Sequence, residues 1–141
     1  MESGPRSPVA GAAKIDITPP IGIDLGGYRK RTGPSTAIHD DLQAAALYLE
    51  SGEPFLLMTA DLIGLDRPTT KEVRSRIAQR VPLSPGQIML ACSHTHSGPA
   101  MPCLPFLGKT DPDYLECLKN NLVEVATEAW ASRAQATWSS S

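Results

Sequence analysis

Two apolar runs with an amphipathic pattern between them constrain this chain more than any other feature. Phe55 to Thr59 is apolar almost throughout, and "QIMLAC" supplies a second short apolar run. Runs of this kind fit strands covered on both faces, and the first is expected to be central in its sheet. Between them, in "DRPTTKEVRSRIAQRV", Val73, Ile77 and Val81 fall at i, i+4 and i+8, while Thr69 and Glu72 have the spacing of a capping box. The pattern predicts an amphipathic helix whose arginines, Arg74, Arg76 and Arg80, form a solvated face. Strand, helix, strand with such connections favours a right-handed crossover and a parallel pair.

The flanking segments extend the same α/β reading. Ile15 and Ile17 in "AGAAKIDITPP" point one way, Asp16 and Thr18 the other, and Pro19-Pro20 ends a short strand. "LQAAALYLESGEPFLLMT" predicts two strands joined by a turn at Ser51-Gly52-Glu53. Asp111 as N-cap and Pro112 at the first helical position open a long C-terminal helix, with Leu115, Leu118, Leu122, Val125, Ala126 and Ala129 as its apolar stripe. "AQATWSSS" then resumes an alternating pattern at Ala136 and Trp138, and both tryptophans, Trp130 and Trp138, read as packing residues. Residues 1–9 are expected to be a disordered lead-in and residues 10–141 a single structural unit. Ile21 to Asp41 contains four glycines and no sustained period, and a structureless loop of that length is uncommon unless it has a function.

Composition excludes several function classes. A net charge of −2 offers no basic excess to neutralise a phosphate backbone, so nucleic acid is not an expected partner. No stretch approaches the roughly 18 consecutive apolar residues of a membrane span. "MESGPRSPVAGAAK" lacks the basic start and apolar run of a signal peptide, so the expected compartment defaults to the cytoplasm. Cys92, Cys103 and Cys117 follow no CxxC or secreted-framework spacing and read as reduced thiols. Cys92 has no basic residue near it in sequence and is a poor candidate nucleophile.

The chemistry gathers at "ACSHTHSGPAMP", where His94 and His96, two of three histidines, follow the second apolar run. In extended backbone, residues i and i+2 project to one side, so both imidazoles can aim at one point. Ligands bind outside the carboxyl ends of strands in α/β sheets. Neutral imidazole suits zinc, which takes three or four protein ligands, so the pair needs a further donor, such as His39 or Asp61, or residues outside these 141. Gly98 permits close backbone approach, Pro99 fixes the exit, and Ser93 and Ser97 can orient a ligating ring. Asp61, polar at a strand end, is either such an outer partner or a turn former. A non-catalytic α/β module with a structural or vestigial His-x-His metal site is the alternative to an enzyme.

"AGAAKIDITPPIG", "GGYRKRTGPSTAIHDDLQAAALYL", "TADLIGL" and "CSHTHSGP" occur in the order and at the separations of the neutral/alkaline non-lysosomal ceramidases, and the chain resembles the N-terminal part of their catalytic domain. The resemblance implies a zinc amidase that cleaves the N-acyl amide of ceramide-like lipids to a fatty acid and a sphingoid base. By position, His94 looks like a zinc ligand, His96 like the catalytic histidine that also faces substrate beside the metal, and Gly27 like a substrate-binding backbone position. His39 and Asp61 lie in family segments as possible outer partners. Further zinc ligands of the family fall beyond this stretch, which implies an incomplete part of a larger catalytic domain that is inactive alone. Ile21, Ile23, Leu25 and Tyr28 in the long loop can meet a lipid chain or simply anchor the loop.

Overall fold

A computed structural model describes residues 7–137 and Ser139. Five strands form one mixed sheet: β1 Val9–Asp16, β2 Gln43–Ser51, β3 Glu53–Ala60, β4 Ile88–Cys92 and β5 Ala134–Gln135, in the spatial order β4-β3-β2-β1-β5. Two helices accompany it, α1 Arg67–Ala78 and α2 Pro112–Ala131. β1, β2 and β3 pair antiparallel in sequence, with Gly52 at φ +102 in the β2–β3 turn. β3 and β4 pair in parallel, from Leu56 opposite Ile88 to Ala60 opposite Cys92, with α1 in the connection between them. The expected strand–helix–strand unit is therefore present, and so is the expected long C-terminal helix.

Period 2 in the strands and 3.6 in the helices meet in one core. Ala44, Ala46 and Tyr48 of β2 and Leu56, Met58 and Ala60 of β3 are buried beneath the helices. Val73 and Ile77 of α1 and Leu118, Leu122, Val125, Ala126 and Ala129 of α2 close over them. α2 packs on β1 and β2, and α1 packs on α2. The closest approach falls at Gly11, where a Cβ would lie 2.1 Å from the Ala129 carbonyl oxygen, so only glycine lets β1 and α2 come this near. Tyr114 pins the start of α2 to the end of β1, its buried hydroxyl donating to the Ile17 carbonyl at 2.6 Å, and burial pushes its phenol pKa up.

Three expectations are corrected. β3 is interior to the sheet but covered on one face only: Phe55 and Leu47 are exposed and Leu57 is half-buried on the other. That open face carries a shallow groove of about 530 Å³ lined by Ala13, Ala45, Leu47, Leu57 and Thr59. Asp66 rather than Thr69 holds the N-cap position of helix α1, without a side-chain capping hydrogen bond, because Pro68 belongs at the first helical positions, and Thr69 is buried inside the first turn. Nor are its arginines simply solvated, since Arg76 pairs with Glu72 and with Glu116 of α2, and the Glu116 contact is 2.7 Å. The Asp111 cap matches expectation, its carboxylate accepting from the Tyr114 amide at 2.8 Å. β5 pairs with Val9 and Ala10 of β1, while Trp138 lies outside the described residues. At the other margin β4 has a neighbour on one side only among the described residues.

Candidate functional site

The parallel pair delivers both of its carboxyl ends to one place, and hydrogen bonds carry the register past the strands. The Ser93 amide donates to the Ala60 carbonyl and the His94 amide to the Leu62 carbonyl, each at 3.0 Å. The chain therefore turns out of β4 along the segment leaving β3. His94 takes φ 60 there, the only non-glycine residue with positive φ among the described residues. Left-handed backbone costs an ordinary residue about 1–2 kcal/mol, and the bonds from His94 to this segment offset it.

The extended run expected at His94–Thr95–His96 is thus absent, because strand pairing ends at Cys92 and His94 bends the backbone. The two rings nevertheless meet edge to face, with centroids 5.2 Å apart and planes at 69°. His94 Nδ1 lies 2.7 Å from the Ile63 carbonyl oxygen. A carbonyl only accepts, so Nδ1 carries the proton and, in the neutral ring, Nε2 keeps a bare lone pair. A backbone carbonyl holding one imidazole nitrogen while the other is free is the arrangement that orients a metal-ligating histidine. His94 is exposed and His96 half-buried.

The long loop supplies the other wall. Between β1 and β2 it forms no strand or helix, yet it is stitched to the segment after the histidines: the Gly26 amide donates to the Gly98 carbonyl at 3.0 Å, the Ala100 amide to the Asp24 carbonyl at 2.8 Å, and Leu25 bridges Pro99. The Gly98-Pro99 pair is therefore a docking rail for the loop. Within the loop the Ser35 amide bonds the Ile23 carbonyl, and Ile23 is buried as an anchor while Ile21 and Tyr28 are exposed. Gly27, at φ +104, faces His96 so closely that a Cβ would sit 2.7 Å from the Cβ and Cγ of that histidine. Tyr28 then meets the His96 ring edge to face at 5.1 Å.

Of the residues picked from sequence, the structure brings together His94, His96 and Gly27. His39 is almost wholly exposed and pairs with its neighbour Asp40 at 2.6 Å, a hydrogen bond that raises its pKa. It borders a groove of about 360 Å³ with Thr95 and Ser97, on the flank of the His-x-His turn. The Asp61 carboxylate accepts from the Gln43 amide at 3.0 Å, extending the β2–β3 register beyond Ala60, and no hydrogen bond among the described residues joins it to either ring. The Ser97 amide donates to the Thr95 hydroxyl, which tightens the turn. Burial pushes the Cys92 thiol pKa up, away from thiolate chemistry. Sequence reasoning missed Ile63, whose carbonyl fixes the His94 ring, and Arg31, which spans the two loops; the "GGYRKR" run was the available signal for the second. Among the described residues, no three His, Cys, Asp or Glu side chains converge as a metal cage.

No protein-family model matches the chain, and no curated protein matches it significantly. Solved structures do. Neutral ceramidase from Pseudomonas aeruginosa superposes with a TM-score of 0.82 at 22% sequence identity, covering 92% of this chain and 22% of the ceramidase chain. A ceramidase complexed with C2 superposes with a TM-score of 0.79 at 20% identity, with the same shares covered. The chain thus spans about a fifth of the length of the proteins it matches. No described helix is long and apolar enough to cross a membrane. The mixed sheet, its crossover and the long closing helix together have the fold of one segment of neutral ceramidase.

Proposed function

We propose that this chain is the part of a ceramidase-like zinc amidase that contributes a metal-ligating imidazole and the histidine beside it. The observation that carries the reading is the His94 ring, held by the Ile63 carbonyl at Nδ1 and exposed with its other nitrogen free, 5.2 Å between centroids from His96. The ceramidase fold supports it, and a ceramide-like lipid amide is the substrate class that follows. His94 Nε2 is the donor that would hold zinc, and one imidazole, or two, binds the ion weakly until further ligands join. When bound, zinc acts as a Lewis acid that makes water a competent nucleophile near neutral pH. In this reading His96 would donate a hydrogen bond to the charge that develops on the amide oxygen, or pass a proton to the departing amine. Gly27 has no side chain to stand between substrate and the loop backbone, and Tyr28 covers the flank of His96.

A second reading, a non-catalytic α/β module with a structural or vestigial His-x-His site, draws on the absence of a three-donor cluster among the described residues. Zinc titration followed through the histidine ring signals separates the possibilities. The ceramidase reading expects His94 to respond first, His39 to be indifferent, and His94→Ala to lose zinc and, in the full-length gene product, amidase activity together. A His94→Ala protein with unaltered zinc affinity and activity overturns it.

A further inference from the structure

The two loops at the site come from distant parts of the chain, and one side chain ties them together. Arg31 Nη1 donates to the Gly26 carbonyl at 3.0 Å, and Arg31 Nη2 donates to the His96 carbonyl at 3.2 Å, across 65 positions of sequence. The same guanidinium lies 5.3 Å from the centroid of the Tyr28 ring, which in turn meets His96. Gly27 fills the remaining side of His96 with bare backbone. The His96 backbone and ring are thus fixed from three directions by residues of one loop, and Arg31 makes one of these contacts directly and lies against Tyr28, which makes another.

We propose that Arg31 is a positioning residue for His96, its guanidinium forked across the Gly26 and His96 carbonyls and lying over the Tyr28 ring so that the imidazole keeps its height and tilt beside His94. The proposal rests on the reading of His96 as the working imidazole. A planar guanidinium presents donors in a fixed fork, whereas an ammonium is a single point of charge on a flexible stem. A lysine ammonium would have to serve both carbonyls from a single atom, without the two fixed donor positions of the guanidinium, and has no flat face to offer Tyr28.

Nuclear magnetic resonance on the metal-free chain tests this, comparing wild type, Arg31→Met and Arg31→Lys. The expected result for Arg31→Met is loss of the nuclear Overhauser cross-peaks between the His96 and Tyr28 rings and a shift of the His96 ring signals, with the His94 ring and the β2–β3 amides unmoved. Arg31→Lys should restore the cross-peaks only in part. Unchanged His96–Tyr28 cross-peaks in Arg31→Met overturn the proposal. Full recovery in Arg31→Lys overturns it as well, since charge alone would then suffice. Should the methionine variant fail to fold, the lysine variant decides on the same signals: partial loss upholds the role and full retention sinks it. The measurement needs neither zinc nor substrate, so failure of the zinc titration at His94 would remove the metal reading and leave this result standing.

Discussion

The helix-covered scaffold and the pair of loops at its rim are held by different forces. In the scaffold, Leu118, Leu122, Val73, Ile77, Leu56 and Met58 are buried side chains that leave water together, and burial of that kind is non-directional and tolerant of small shifts. The loops bury fewer side chains, Ile17, Ile23 and Met101 foremost, and much of their placement is set by directional bonds to carbonyls, with Ala60, Leu62, Ile63, Gly98 and Asp24 as acceptors. The scaffold supplies stability, and the loops supply placement. Each ought to be breakable without the other.

The largest effect should come from the scaffold. Leu122→Ala removes a fully buried side chain from the centre of α2 and should cost about 2–5 kcal/mol. Urea denaturation measures the loss, and the ring signals of His94 and His96 should stay unchanged below the transition. Movement of those signals in the native baseline would mean the two regions are not separable. The converse variant, Gly27→Ala, places a methyl 2.7 Å from the His96 side chain and demands φ +104 of a residue with a Cβ. Strain of this kind costs about 1–3 kcal/mol, but the more telling result is selective displacement of the His96 signals with the β2–β3 amides in place. An undisturbed His96 would show that Gly27 does not shape the site.

The smallest effect sharpens the comparison from the outside. Lys119 foremost, with Arg76, holds the Glu72 carboxyl below its ordinary range, and Arg76 foremost does the same for Glu116. A depressed folded-state pKa gives stability that is present above the unfolded value and is lost as pH falls through the folded one. The thermal midpoint should therefore drop slightly on acidification, less so at high salt because these groups are exposed. Glu116→Gln should flatten part of that slope. A drop that persists at high salt would place the acid-sensitive groups elsewhere.

Much of the scaffold was legible because its signals are local and periodic. The Asp111 cap, Pro112 and the 3.6-residue stripe through Leu118, Leu122 and Val125 define α2 without reference to anything else in the chain. The face of β3 was misread for a physical reason: an apolar run records which sides of a strand favour leaving water, not which segment covers them. At the site, the residue types at His94, His96 and Gly27 could be picked out, whereas the means of convergence could not. The left-handed turn at His94 depends on carbonyls of Leu62 and Ile63, roughly thirty positions earlier, and the Arg31 fork depends on a contact across 65 positions. No local pattern encodes partners that only the parallel β3–β4 register brings alongside.

That register also gives the sheet a direction of growth. β5 blocks part of the outer margin of β1, while β4 offers a free row of peptide groups on its far side among the described residues. A strand added there would widen the sheet beside Ile88–Cys92, the same strand whose carboxyl end leads into the His94 turn, so the growing margin and the site share one element.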